Sequence, residues 1–160
     1  MSWVGDITDN LLVVLKNDGR VRDLAVKERS IRKGLTDDFP HDIGRTDFPV
    51  IRAVWNGTEE ADEPADVRPH RHVVLNFSLF LAVYDIKYED RYDQLAELAE
   101  VVADAIYYAE DTGFVNLDLD EINIRSIEVA PDVLTEQGYA VAIMDIGISA
   151  YTARNDRQGK

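Results

Sequence analysis

The feature that most constrains the fold is a long apolar strand followed at once by a long amphipathic helix. The strand is predicted from about Arg71 to Ile86 and the helix from about Asp90 to Asp111, with Asp90 as the expected N-cap. Apolar residues recur in the helix at steps of three and four, on one stripe: Tyr92, Leu95, Leu98, Ala99, Val102, Ala105, Ile106 and Ala109. Another element must cover this stripe, and the preceding strand is the nearest candidate.

The predicted strand has two faces of different character. Odd-numbered residues from Val73 to Val83 are uniformly apolar, and this face is expected to receive the helix stripe. Even-numbered residues from His72 to Tyr84 mix aromatic, small and polar side chains. A mixed face of this kind is covered only partly by its own chain, or is covered by another chain. At about 3.3 Å per residue the strand is roughly 50 Å long, well above the usual length.

The charge balance limits the kinds of partner. The 160 residues include twenty Asp and eleven Glu against twelve Arg and five Lys, so the net charge is −14. An acidic surface disfavours binding to nucleic-acid phosphates, which requires a positive patch. Proteins that function in molar salt have such compositions, because the Debye length there is about 3 Å and like charges scarcely repel. We therefore expect a halophilic source, with an acidic mesophilic protein as the alternative.

The length predicts a single domain over residues 1–152, followed by a polar tail at 153–160. There is no cysteine, which excludes disulfides and thiolate metal sites. The N-terminus lacks a basic-then-apolar signal segment, and no apolar run approaches the ~18–20 residues required to cross a bilayer. We therefore expect a soluble protein that is either intracellular or carried in a virion.

Four further elements complete the expected order. A short N-terminal helix is predicted at Ile7–Leu15 and strands at Phe48–Asn56, Glu121–Ala130 and Tyr139–Thr152. The apolar residues change phase around Arg125 and Ser126, which indicates a β-bulge. The pattern predicts an α+β fold: a mostly antiparallel β-sheet of about four strands, with the long helix packed on one face and a short N-terminal helix.

Three segments are less regular. Arg20–Leu35 is predicted to be either a second helix or an irregular segment, and Asp37–Asp47 a polar loop. The pair Asn56-Gly57 suits a type I′ turn, but the acidic stretch Thr58–Pro69 that follows is typical of a flexible loop between two antiparallel strands.

Motifs for catalysis or cofactor binding are missing. We find no glycine-rich phosphate loop, no His-Glu-x-x-His and no nucleophile elbow. His41, His70 and His72, with nearby aspartates, could form the metal site of a small enzyme, but solvated polar residues explain them more simply. Asp145, within an apolar strand, is either a catalytic acid or a strand residue that faces solvent or a partner's arginine.

The basic residues Lys27, Arg29, Arg32 and Lys33 lie close together in an otherwise acidic chain. Three interpretations stay open. The cluster could pair with acidic patches of a neighbouring subunit, contact DNA phosphates, or form a solvated face.

The order and lengths of these elements resemble those of the tail terminator, or tail completion, proteins of long-tailed phages and their archaeal virus relatives. The matching elements are the helix Ile7–Leu15, the strand Phe48–Asn56 with its long loop, the strand–helix unit Arg71–Asp111 and the two terminal strands. The resemblance covers about residues 1–152 and depends on element order and length, with no diagnostic motif.

The resemblance implies a structural virion protein without catalytic residues, metal or cofactor. It implies a six-fold ring of copies that caps the tail tube, ends tube polymerisation and offers a docking surface to the neck of the head. The implied partners are other copies, the tail tube protein and a neck or head-completion protein, with DNA only passing through the lumen and no membrane. The implied location is the virion tail or neck, and the host cytoplasm during assembly; a head–tail adaptor or stopper is the alternative.

Subunit or partner contacts are then expected at two places. One is the basic cluster together with the mixed faces of the two long strands, represented by Phe80, Tyr84, Tyr139 and Tyr151. The other is the acidic loop, which would face a neighbour, the lumen or a neck protein through Thr58, Glu59, Glu60, Asp62, Glu63 and Asp66.

Overall fold

The computed structural model describes residues 3–60, 70–112, 119–130 and 138–153. Its elements, in chain order, are α1 (Trp3–Asn17), α2 (Gly19–Asp23), a 3₁₀ turn (Glu28–Ser30), β1 (Ile31–Lys33), a 3₁₀ turn (Arg45–Asp47), β2 (Val50–Glu60), β3 (His70–Tyr84), α3 (Tyr88–Thr112), β4 (Leu119–Val129) and β5 (Tyr139–Ala153). The strands form a sheet in the order β1-β2-β3-β5-β4, in which only the β1–β2 pair is parallel. The α+β class and the mostly antiparallel sheet are confirmed, and β1 extends the expected four strands to five.

The core lies between one face of this sheet and the helices. The odd-numbered residues of β3 from Val73 to Val83 are all buried, as are the even-numbered residues of β5 from Ala140 to Ala150. Helix α3 lies over β3, β5 and β4, and α1 packs beside α3 over β1 and β2. Each large apolar side chain buried here contributes roughly 1.5–3 kcal/mol, so the predicted pairing of strand face and helix stripe provides the main stabilisation.

Helix α3 begins earlier than the sequence predicts. It starts at Tyr88, so the prediction of Asp90 as the N-cap is wrong and Asp90 lies in the first turn. Asp85 makes the contacts just before the helix: its carboxylate accepts hydrogen bonds from the Lys87 backbone N–H at 2.9 Å and from the Gln94 side-chain amide at 2.9 Å. Its backbone carbonyl accepts a further bond from Arg91 Nη1 at 2.7 Å. Asp85 therefore fixes the turn between β3 and α3.

These contacts make stability depend on pH in a defined direction. The Lys87 backbone N–H, and after it the Gln94 amide, lower the pKa of Asp85 below its ordinary value of 3.8. A carboxyl group with a lowered folded-state pKa adds stability above its ordinary pKa, and that stability is lost as pH falls through the folded value. We expect Asp85→Asn to be less stable than the unmodified chain above about pH 4, with the difference shrinking in acid.

Denaturant unfolding at a series of pH values measures this difference. Asp90→Asn, in the first turn of the same helix, is the matched control. A stability deficit of Asp85→Asn that stays constant between neutral and strongly acidic pH would contradict the assignment.

Strand β2 is longer than predicted and corrects the expected loop. Thr58, Glu59 and Glu60 pair with β3 in register and are strand residues rather than loop residues. The shift in register between Trp55 and Gly57 shows that Asn56-Gly57 forms a bulge within the strand, not a hairpin turn. The acidic side chains are compatible with a strand because they are exposed at the outer end of β2. The other three predicted loop residues, Asp62, Glu63 and Asp66, lie outside the described residues.

In β4 the register shifts between Ile124 and Ser126, which confirms the predicted bulge. The segment Arg20–Leu35 combines both alternatives: α2 is a short helix, and β1 follows as a strand. The Asp18 carboxylate caps α2 by accepting hydrogen bonds from two backbone N–H groups. None of the described helices is long and apolar enough to cross a membrane.

Candidate subunit interface

The two long strands present a second surface on the side away from the helices, which we call the open face. It consists of the even-numbered residues of β3 and the odd-numbered residues of β5, together with the side chains of β2 and β4 that share their side of the sheet. Its two ends differ in composition, and each end is described in turn.

The end near Tyr84 is covered by the chain's own segment 36–48. A small apolar cluster forms there around Val50, Ala82 and Val141, and the residues that pack against it are Phe39, Ile43, Phe48, Phe80 and Ala130. The predicted loop at Asp37–Asp47 is a series of turns that ends in a 3₁₀ turn, but its apolar residues Phe39 and Ile43 pack on the sheet. Three large apolar residues among the acidic ones suffice to hold the segment on the sheet.

Aromatic contacts reinforce this cover. Phe48 lies 6.1 Å from Tyr84 and 5.6 Å from Tyr139 between ring centroids, and Phe39 meets Phe80 edge-on at 6.2 Å. All four aromatic residues predicted as interface residues are half-buried by their own chain, and segment 36–48 contacts three of them, Phe80, Tyr84 and Tyr139. Only part of each ring is left for a partner.

The remaining part of the open face carries a polar row that crosses four strands. The Ser78 hydroxyl donates to Asp145 Oδ1 at 2.6 Å and accepts from the Asn56 amide at 2.7 Å. On the other side, the Ser126 hydroxyl donates to Asp145 Oδ2 at 3.4 Å. From its place on β5, Asp145 therefore anchors side chains of β3 and β4 directly, and Asn56 of β2 through Ser78. This arrangement gives it a structural role and offers no support for a catalytic one.

A second polar row runs beside the first. Arg125 Nη1 donates to Asn76 Oδ1 at 2.6 Å, and the Asn76 amide donates to Glu59 at 3.2 Å. The guanidinium lies on Gly147, where an added Cβ would be 2.7 Å from Nη2. Further along, His72 stacks on Tyr151 with 4.5 Å between ring centroids. The result is an ordered polar surface, which resembles the wet periphery of a subunit contact more than an apolar core.

Replacing Asp145 tests the first row. In Asp145→Ala the hydroxyls of Ser78 and Ser126 lose their acceptor on a partly buried surface. We expect the free energy of unfolding to fall by about 1–2 kcal/mol, because each partly buried polar group must find a new partner. Urea denaturation measures the change, and Glu128→Ala on β4, an exposed carboxylate, is the control. Equal effects of the two substitutions would contradict the role given to Asp145.

The predicted basic cluster is divided between two sides of the sheet. Lys27 and Arg29 both pair with Asp47, at 3.9 and 2.8 Å, and Lys33 pairs with Asp9 of α1 at 2.9 Å. Exposed pairs of this kind contribute about 0–1 kcal/mol each. Arg32 differs from the others: its Nε donates to the backbone carbonyl of Arg29 at 2.7 Å, and the described residues place no carboxylate in ion-pairing distance of it.

Nothing in the sequence predicts which residue lies beside Arg32 in the sheet. In the parallel β1–β2 pair Arg32 lies directly opposite Arg52, on the open face. Arg52 donates to the backbone carbonyl of Ser30 at 2.5 Å. Burial and then the charge of Arg32 lower the pKa of Arg52, while Asp42 and Asp47 raise it. Like charges placed directly opposite on a sheet are destabilising, and the nearby carboxylates of Asp42 and Asp47 offset part of this repulsion.

The two arginines line a cavity of about 270 Å³ between the sheet and the segment that follows β1. Its lining consists of Arg32, Lys33, Gly34, Leu35, Thr36, Phe39, Asp42, Ile43 and Arg52. The ammonium group of Lys33 is bound by Asp9, and Asp42 accepts a hydrogen bond from the Thr36 hydroxyl at 2.6 Å. Two guanidinium groups therefore face one carboxylate, and the cavity has a net positive charge.

A third feature is an exposed apolar surface around the start of α3, which we call the apolar end. Ile86, Tyr88 and Tyr92 are 80, 61 and 62 % exposed. Val129 and Ile127 of β4 are 66 and 45 % exposed. They lie at the same end of the sheet, because the last residues of β4 pair with the first residues of β5. Apolar exposure concentrated in this way is typical of a contact with another protein.

The side chains of His41 and His72 lie far apart. His41 contacts the ring of Tyr139 at 5.1 Å, whereas His72 stacks on Tyr151 at the opposite end of β5. Twelve residues of strand separate these positions, roughly 40 Å, so both imidazoles cannot bind one ion. The described residues contain no group of three potential ligands for a metal. The three-histidine metal site is therefore wrong.

Comparison with known proteins gives similarity in structure but not in sequence. No family model matches the sequence, and no curated protein matches it. Among solved structures, a chain of the "virion of native gene transfer agent (GTA) particle" superposes with a TM-score of 0.65 at 11 % sequence identity. The match covers 94 % of this chain and 100 % of that chain. At this identity the similarity establishes the fold alone.

Proposed function

We propose that this chain is a structural virion protein whose copies form a ring, expected to be six-fold, that caps the tail tube, ends its polymerisation and gives the neck of the head a docking surface. The observation that carries the proposal is the fold shared over nearly the whole chain with a component of a virion particle. The sequence resemblance to tail terminators supplies the more specific role within the virion.

Two surfaces of the chain support this role. A ring component needs a contact with its neighbours in the ring and a different contact with the tube or the neck. The ordered polar rows of the open face suit the contact with ring neighbours, because a polar surface keeps the free subunit soluble. The apolar end suits the second, because Ile86, Tyr88 and Tyr92 offer large side chains for burial against a partner.

The charge is also compatible with a ring through which DNA passes. A net charge of −14 on each copy repels phosphates. A lumen of this character lets the nucleic acid slide without adhering. Three of the cations that the structure describes, Lys27, Arg29 and Lys33, are paired with carboxylates of their own chain.

Assembly in solution and on tubes tests the proposal. We expect light scattering and negative-stain images to show ring-shaped oligomers over a salt range of about 0.1 M to 3 M. Added at low stoichiometry to polymerising tail tube subunits, the protein should stop elongation and be found at one tube end. Ile86→Ser with Tyr92→Ser should reduce binding to the tube but not ring formation, whereas Glu89→Gln at an exposed site nearby should change neither.

The outcomes separate the alternatives. A chain that remains monomeric and does not alter tube length contradicts the proposed function. A ring that ignores the tube but binds an isolated head–neck complex identifies an adaptor or stopper instead of a terminator.

A further inference from the structure

The cavity between Arg32 and Arg52, which we call the arginine cavity, has hydrogen-bond donors to spare on its sheet side. Arg32 uses only its Nε, which donates to the backbone carbonyl of Arg29. Arg52 uses only its Nη1, which donates to the backbone carbonyls of Ser30 and Ile51. In the part of the chain that the structure describes, the other nitrogens of both groups meet no acceptor. Each guanidinium can therefore still offer two nitrogens to a ligand.

The charge of the arginine cavity is balanced only in part. Asp42 is the carboxylate in its lining, and the Thr36 hydroxyl donates to it at 2.6 Å. Among the described residues, no ion pair joins Asp42 to either arginine. Burial, and then the charge of Arg32, lower the pKa of Arg52, and Asp42 opposes this shift without cancelling it. A second negative charge beside the two arginines would relieve the remaining repulsion.

The size and donor geometry of the arginine cavity match a small oxyanion. Its volume of about 270 Å³ lies below the ~300–1,000 Å³ of typical small-molecule pockets, so a nucleotide or a cofactor fits poorly. Arginine binds oxyanions through forked, two-point contacts. The four oxygens of a tetrahedral anion can accept such contacts from two guanidinium groups at once. The net charge of −14 opposes the approach of a polyanion, which favours a free ion over a nucleic-acid phosphate.

We propose that the arginine cavity binds a free tetrahedral oxyanion of the phosphate and sulfate class, held by the guanidinium groups of Arg32 and Arg52. The cavity lies between the sheet and the segment that follows β1, so the ion joins the two. Phe39 and Ile43 of that segment line the cavity and also pack on the open face. The bound ion therefore helps to hold segment 36–48 over the end of the open face near Tyr84. Ring formation plays no part in this inference.

Titration calorimetry of the full chain with inorganic phosphate, at constant ionic strength, tests the site. We expect one phosphate to bind per chain, with a dissociation constant of about 1 mM or lower. Arg52→Gln and, separately, Arg32→Gln should each weaken binding about tenfold or more, because each removes a charge-assisted forked contact. Phosphate binding that does not saturate, or that is equally strong in the folded variants, overturns the inference.

Asp42→Asn predicts a change of the opposite sign, which a damaged fold would not produce. The amide oxygen can still accept the hydrogen bond of Thr36, but the negative charge in the lining is gone. Phosphate should therefore bind about threefold or more tightly. Unchanged or weaker binding in this variant counts against the site.

Arg20→Gln is the matched control for the two arginine substitutions. Arg20 is also exposed but pairs with Asp104 on a different surface, so phosphate should bind this variant as it binds the unmodified chain. Circular dichroism checks the folding of every variant. If Arg52→Gln does not fold, the exposed Arg32 still provides the test.

Two further measurements fix the source of the anion and its effect. A short DNA duplex should not displace inorganic phosphate; displacement that is lost in Arg52→Gln would identify a nucleic-acid contact and overturn the free-ion site. Phosphate should also slow hydrogen exchange of the backbone amides in segment 36–48 of the unmodified chain but not of Arg52→Gln. Exchange that phosphate leaves unchanged refutes the holding role.

Failure of this inference is distinguishable from failure of the proposed function. A chain that assembles into rings but binds no phosphate overturns the inference alone. A chain that binds phosphate through Arg32 and Arg52 but never assembles supports the inference and contradicts the proposed function alone.

Discussion

A chain that carries Leu98→Asp will not fold. Leu98 is 1 % exposed and lies at the centre of the α3 stripe, against the sheet. The substitution removes roughly 1.5–3 kcal/mol of apolar burial and places a carboxylate where no partner is present, at a further cost of several kcal/mol. The sum is comparable with the whole stability of an ordinary domain, about 5–15 kcal/mol.

Circular dichroism and thermal scanning of the purified variant measure this effect. The control is Ala96→Asp, which introduces the same group two residues away on the exposed side of α3. We expect the control to change stability by no more than about 0.5 kcal/mol. A cooperative unfolding transition in Leu98→Asp, close to that of the unmodified chain, would contradict the placement of α3.

Gly138→Ala should produce the second-largest loss, on the other side of the sheet. Gly138 precedes β5 with φ +93°, a conformation that costs a residue with a Cβ about 1–2 kcal/mol. A Cβ there would also lie 2.8 Å from Cε2 of Tyr84, in the aromatic group that segment 36–48 covers. Overpacking of this kind costs about 1–3 kcal/mol more, so the expected total is about 2–5 kcal/mol.

Gly34→Ala separates the two contributions. Gly34 has a similar φ of +89°, but nothing lies within 4 Å of its added Cβ. Its cost should therefore be the conformational part alone. Chemical denaturation of both variants gives the difference, which measures the contact with Tyr84. Equal losses in the two variants would show that the side chain of Tyr84 moves aside without a cost in stability.

Much of the helix side of the fold is predictable from the sequence. The stripe of α3 and the alternation of β3 and β5 are long and strongly periodic, and burial of Leu98, Phe77 and Met144 follows directly from them. The predicted ends of the helices and strands are less accurate, because local contacts decide where each element begins and ends. Asp85 starts α3 through hydrogen bonds that the spacing of apolar residues does not reveal.

The open face was harder to predict because its structure depends on register. Strand β1 has three residues, too few for a periodic pattern, and its pairing with β2 spans about twenty residues of sequence. Without that pairing nothing places Arg32 beside Arg52. The packing of Phe39 and Ile43 on the sheet is also not predictable from the sequence, because their acidic neighbours are typical of a solvated loop.

Because β1 is short, it covers only part of the edge of β2 in the free subunit. It pairs with β2 only at residues 51–53, so the described structure leaves the backbone of β2 from Val54 to Glu60 without a strand on its outer side. Unprotected edges recruit stray strands and lead to aggregation, and natural proteins guard them with bulges and charges. The bulge at Asn56 and the carboxylates of Glu59 and Glu60 supply both safeguards, so newly made copies can accumulate without sticking to one another indiscriminately.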